Sequence, residues 1–129
     1  MRAKLLTVPA VALGVAAGLT TGVEVAGAAA DTNTPVTIRA QGTDLSGVVR
    51  SPRPKRCAAN REVIVYKQRG ARGGGDDVPF ASDITSLQRG VYRWSTGNTG
   101  TEGRFYARVA HITGCKGATS PTIRATRNP

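Results

Sequence analysis

Cys57 and Cys115 are the two cysteines of this 129-residue chain and His111 is its single histidine. Any thiol or imidazole chemistry must be built from these three side chains. Two thiolates and one imidazole fall short of a four-ligand zinc site, and neither cysteine belongs to a CxxC pair, so no metal is expected. A serine or cysteine hydrolase needs a nucleophile beside a base that a third group holds in orientation. His111 ends the run RFYARVAH, with Asp83 and several serines as conceivable partners, and nothing in the spacing brings them together. A structural histidine is expected and no catalytic residue is assigned.

The carboxylates point the same way. Glycosidase chemistry requires two acids facing each other across a cleft, whereas Asp31, Asp44, Glu62, Asp76, Asp77, Asp83 and Glu102 stand mostly where turns are expected. Asp76, Asp77 and Asp83 lack the spacing of a calcium loop and lie in strongly positive surroundings. GARGGG at 70–75 lacks the Lys-Ser or Lys-Thr ending of a phosphate loop and precedes no expected helix. Trp94 is expected in a core rather than beneath a sugar ring. No cofactor is implied.

One local feature supports a binding hypothesis. Arg50, Arg53, Lys55, Arg56 and Arg61 crowd around SPRPKRC, where prolines and a cysteine would hold them as a rigid positive rim. These five are the anion-binding candidates, and the formal charge of +10 for the whole chain extends their field. Outside a cell, the partners such a rim fits are anionic cell-wall polymers, anionic lipid or another extracellular protein, rather than a specific nucleic acid.

Export is expected from the first thirty residues. Met1 to Lys4 is basic, Leu5 to Leu19 is mostly apolar, and Ala26 to Ala30 is small before Asp31, the outline of a signal peptide cleaved after Ala28 or Ala30. Thr7, Pro9, Gly14, Gly18, Thr20, Thr21 and Glu24 dilute the apolar run below what a membrane span needs. No cysteine stands at its end to accept a lipid, so no integral membrane segment is expected after cleavage. The organisation is thus a leader over residues 1–30 and one domain over 31–129. An exported chain meets an oxidising compartment, and an intramolecular Cys57–Cys115 disulfide follows as an expectation.

The elements that position these residues read as strands. Val36, Ile38 and Ala40 alternate with polar neighbours, as do Phe105, Ala107 and Val109. Between them, Leu45 to Arg50 is a strand with a bulge expected at Gly47, Ser51 to Asn60 is a loop, and Arg61 to Gln68 is a central strand whose apolar residues leave the inner face open. GARGGGDD is expected to be exposed and mobile, Val78 to Ala81 a short edge strand, and Asp83 to Arg89 a turn. Gly90 to Ser95 turns Tyr92 and Trp94 inward, and Thr122 to Thr126 closes the chain. Arg39, Arg93, Arg104, Arg108 and Arg124 fall at solvent-facing strand positions. Seven short strands in roughly a hundred residues argue for an all-β, single antiparallel sandwich with Greek-key connections, a barrel being the alternative.

The order SGVVRS, Cys57, REVIVYK, SDITSLQRGVYRW, GRFYARV, then Cys115 and ATSPTI resembles small secreted actinobacterial domains of the transthyretin-like or carboxypeptidase-regulatory-like group. The likeness spans Leu45 to Arg124. It implies a seven-stranded, immunoglobulin-like or transthyretin-like sandwich serving as an accessory, adhesive or structural module without shared catalytic residues. The longer interval from Asp83 to Gly90 and the glycine-rich GARGGGDD depart from that pattern, both in connections. The expectation is a secreted, non-enzymatic interaction or structural module; a small inhibitor or ligand carrier is the alternative, and a secreted hydrolase stands behind it.

Overall fold

Short runs of β-branched and aromatic residues, punctuated by Gly, Pro and Asn, dictate an extended chain. In the computed structural model, which describes residues 30–127, that chain is folded into two antiparallel sheets. The expected signal peptide lies outside the described residues except for Ala30. The strands are β1 (Arg39–Gln41), β2 (Asp44–Val49), β3 (Glu62–Lys67), β4 (Val78–Ile84), β5 (Ser86–Gln88), β6 (Val91–Asn98), β7 (Gly103–Val109), β8 (Ala118–Thr119) and β9 (Ile123–Ala125), with one helical turn, α1 (Pro54–Cys57), between β2 and β3. The first sheet runs β1-β2-β6-β5; the second runs β9-β7-β3-β4, with β8 also pairing with β7. The all-β class, the antiparallel pairing and the Cys57–Cys115 disulfide are therefore as expected. The strand count is not: nine strands occur among the described residues where seven were read.

Both sheets feed one core. Leu45, Val49 and Trp94 enter it from the first, and Val63, Val65, Phe105 and Val109 from the second. The inner face of β3, open in the sequence, is thus the Val63 and Val65 face. Ile64 and Tyr66 point the other way, and Tyr66 is covered by stacking on Tyr106 at 5.3 Å between ring centroids. An aromatic pair on the outer face explains why apolar residues occupy both sides of this strand.

The region 83–89 is a correction. It is not a turn but the place where an edge strand leaves one sheet and joins the other, β4 and β5 being separated by Thr85 alone. Such a crossing breaks two ladders at once, and the freed groups need partners. Thr85 is buried; its N–H donates to the Arg61 carbonyl at 2.9 Å and its hydroxyl to the Ala58 carbonyl at 2.5 Å. The sharp reversal comes only at Arg89 and Gly90, whose φ values of 53° and 78° suit a two-residue type I′ hairpin.

Gly47 has a packing role rather than the expected bulge. The register shift in this pair falls between Leu45 and Ser46. Gly47 faces Trp94 across β2 and β6, and a Cβ there would lie 1.9 Å from the Thr37 carbonyl oxygen and 2.7 Å from the indole nitrogen. That close approach lets Trp94 Nε1–H donate to the Thr37 carbonyl at 3.1 Å, while the Val48 N–H turns to the Thr37 hydroxyl at 3.0 Å. Gly47→Ala is expected to cost about 2 kcal/mol by overpacking against backbone and to release the indole. Equilibrium unfolding with tryptophan fluorescence measures both effects.

Candidate anion-binding surface

The prolines of SPRPKRC do more than bar a strand. Pro54 stands in the first turn of α1, where its fixed φ suits a helix and its missing N–H is not needed. The Ala58 and Ala59 N–H groups both donate to the Pro54 carbonyl at 2.9 Å, closing the turn, and Cys57 is delivered, fully buried, to Cys115. The expected loop 51–60 therefore contains a helical turn anchored by the disulfide.

This turn brings Arg53, Lys55 and Arg56 together as exposed side chains, with Arg50 at the approach from β2. Arg56 lies across Gly114, where a Cβ would come within 2.9 Å of its Nη2, and it donates to the Thr113 carbonyl at 3.5 Å. Arg61 does not belong to the rim. It is 3% exposed, and its guanidinium donates to the carbonyls of Cys57 and Ala110, each at 2.6 Å. Burial lowers its pKa from the ordinary arginine value. Its place follows from parity: Arg61 precedes the inward Val63 by two residues, so its side chain starts out on the core side.

The other groups considered for chemistry are held apart. His111 pairs with Asp31 at 2.7 Å on the surface, its side chain 61% exposed. Asp83 instead accepts the Ser95 N–H at 2.8 Å. No family model matches the chain, and neither does any curated protein. Function must therefore be argued from the surface itself.

GARGGGDD is exposed from Gly70 to Asp76, as expected, and is gathered around one carboxylate. Asp77 accepts the N–H groups of Arg69 and Gly73, each at 3.0 Å, and the Tyr106 hydroxyl at 2.7 Å. Arg72 lies over the Tyr106 ring, 5.5 Å from its centroid, and donates to the Ser120 carbonyl. The Gly73 amide, then the Tyr106 hydroxyl and the Arg69 amide, hold the Asp77 pKa below its usual value. Burial first, then the Asp77 hydrogen bond and charge, push Tyr106 up to about 12.

The signs of these shifts give a test. A carboxylate depressed by folding contributes stability above its unfolded pKa and loses it as pH falls through the folded value, so this loop should loosen in acid. A phenol raised by folding contributes below its unfolded pKa and loses that contribution between about 10 and 12. Asp77→Ala is expected to bring the Tyr106 titration back toward the ordinary phenol range and to speed amide exchange at Arg69 and Gly73. Ultraviolet pH titration and hydrogen exchange read the two effects separately.

Proposed function

We propose that this chain is a secreted, non-enzymatic interaction module, an immunoglobulin-like or transthyretin-like sandwich that adheres to anionic extracellular polymers such as those of a cell wall. The observation that carries the reading is an uncompensated charge. Among the described residues the one ion pair is His111–Asp31, and no lysine or arginine side chain pairs with a carboxylate. The chain carries a formal charge of +10, and apart from the buried Arg61 the cations among the described residues are left without a neutralising carboxylate.

The sheet order supports the sandwich. With β1, β2, β5 and β6 as strands A, B, D and E, and β3, β7 and β9 as C, F and G, the order agrees with an immunoglobulin-type domain in which β4 is an added edge strand beside C. Compatible with export are the disulfide and the fact that no helix among the described residues is long and apolar enough to cross a membrane.

The test is retention of the domain on isolated anionic wall polymer. Binding should weaken steadily with salt, as counterion release requires, and the R53A/K55A/R56A variant should elute at lower salt than the parent. Salt-independent retention, or none, would remove the reading.

A further inference from the structure

Arginines whose guanidinium groups lack a partner among the described residues are not confined to the rim. On β1, Arg39 faces Ser46 of β2; on β6, Arg93 faces Val48 of β2; and Arg50 follows directly after β2, its N–H bonded to the Pro35 carbonyl at 3.0 Å. Ile38, Val49 and Trp94 point into the core, so by alternation Arg39, Arg50 and Arg93 all stand on the outer face of the first sheet. Arg50 and Arg93 are diagonal neighbours, about 7–8 Å apart. Arg39 lies one strand further out, about 14 Å from Arg50 at the rise of an antiparallel strand. The residues between them, Ser46, Gly47, Val48 and Ser95, are short. The three long side chains therefore border a depression of about 460 Å³.

We propose that this depression is a docking site for a polymeric phosphate, held by Arg39, Arg50 and Arg93; the inference rests on the anionic-polymer reading above and gives it a place and a ligand chemistry. The depression is rich in donors and poor in acceptors. None of the three guanidinium groups has an ion-pair or side-chain hydrogen-bond partner among the described residues. The Thr37 hydroxyl accepts the Val48 N–H and the Ser95 hydroxyl accepts the Gly97 N–H, each at 3.0 Å, which leaves both hydroxyl hydrogens to donate outward.

Such a surface suits phosphate better than carboxylate. Each guanidinium offers a planar fork, and a phosphate presents more oxygens per group to share among several forks and hydroxyls. The separation of the arginines suits successive groups along a chain rather than one isolated ion. In the rim, Arg56 leans on Gly114 and donates to the Thr113 carbonyl, which leaves Arg53 and Lys55 as its cations without partners among the described residues. One carboxylate lines the depression, Asp83, and its charge opposes an anion there. Its Ser95 contact needs only an acceptor oxygen, which asparagine also carries.

The experiment measures binding of inorganic polyphosphate, and of polyglutamate as the carboxylate comparison, by the oxidised domain at about 0.15 M salt. R39Q/R50Q/R93Q is set against R53A/K55A/R56A, which removes the same number of charges. The sheet-face variant should weaken polyphosphate binding by about tenfold or more and the rim variant by less than about threefold. R93K, which keeps the charge and loses the fork, should lie between parent and triple variant, and D83N should bind more tightly. Equal losses in the two triple variants would overturn the sheet-face site and leave a general positive field. A parent that binds polyglutamate as tightly as polyphosphate would overturn the ligand chemistry. A parent that binds neither polymer nor wall material would overturn the inference and the reading beneath it together. Unfolding curves for each variant tell a lost site from a lost fold.

Discussion

Replacing Cys57 and Cys115 together by alanine is expected to lower the unfolding free energy by about 4 kcal/mol. The two residues are 58 apart in sequence, and the closed loop between them holds β3 to β7, the greater part of both sheets. Without the bridge, the denatured chain gains the freedom of that loop, and the native state keeps its ladders. Local ties soften the loss at both ends: Thr32 brackets Cys115 with hydrogen bonds to the Gly114 carbonyl at 2.9 Å and from the Lys116 N–H at 2.8 Å, and the Arg61 guanidinium holds the Cys57 carbonyl at 2.6 Å. For a domain of roughly a hundred residues such a loss corresponds to a fall in melting temperature of roughly 15–30 °C. Denaturant unfolding of the oxidised parent and the double alanine variant measures it. A difference below about 1 kcal/mol would mean that the reduced, unfolded chain keeps its ends close by other means.

The strands that face the core on one side and water on the other were legible. Val36, Ile38 and Ala40, and Phe105, Ala107 and Val109, alternate cleanly, and all but Ala40 are buried, Ala40 being packed against the core. Strands that obey another rule were not. SDITSLQ looks like a turn because it is polar, yet an edge strand that changes sheets is exposed over most of its length: Ile84 is 51% and Leu87 60% exposed. The Asp77 loop had no periodic signal at all. Its order comes from one side chain collecting donors from residues four, eight and twenty-nine positions away, which no local pattern encodes.

The candidate surface divides in the same way. The rim was legible as a run of charge, and its rigidity as prolines beside a cysteine. The sheet face was legible only as separate arginines at outward positions. Their convergence depends on the β1-β2-β6 register and on the shift between Leu45 and Ser46, and register is a property of paired strands rather than of one run of residues. Arg61 carried a usable signal in its parity with Val63 and Val65, masked by its membership in the basic run.

Arg61 is where that distinction has its largest consequence. Arg61→Ala should destabilise the fold by about 3 kcal/mol, because it leaves the buried Cys57 carbonyl and the partly buried Ala110 carbonyl short of a donor, at about 1–3 kcal/mol for each orphaned group, the Ala110 carbonyl at the lower end, less the cost of burying the charge. Those two carbonyls belong to the segments after β2 and after β7, and the Arg61 backbone also exchanges hydrogen bonds with Thr85 at the crossing between sheets. One residue thus fastens three connections at the same end as the disulfide. Arg61→Lys should recover little, since an ammonium on a single stem does not span two carbonyls as a fork does. The loss should also be non-additive with removal of the disulfide, because one guanidinium bond ends on the Cys57 carbonyl. Retention on anionic polymer should change little in any Arg61 variant that remains folded, whereas a cation serving the ligand would lose retention and keep stability. Unfolding and retention measured on the same protein therefore separate the two roles, and a variant of full stability with weakened retention would return Arg61 to the rim.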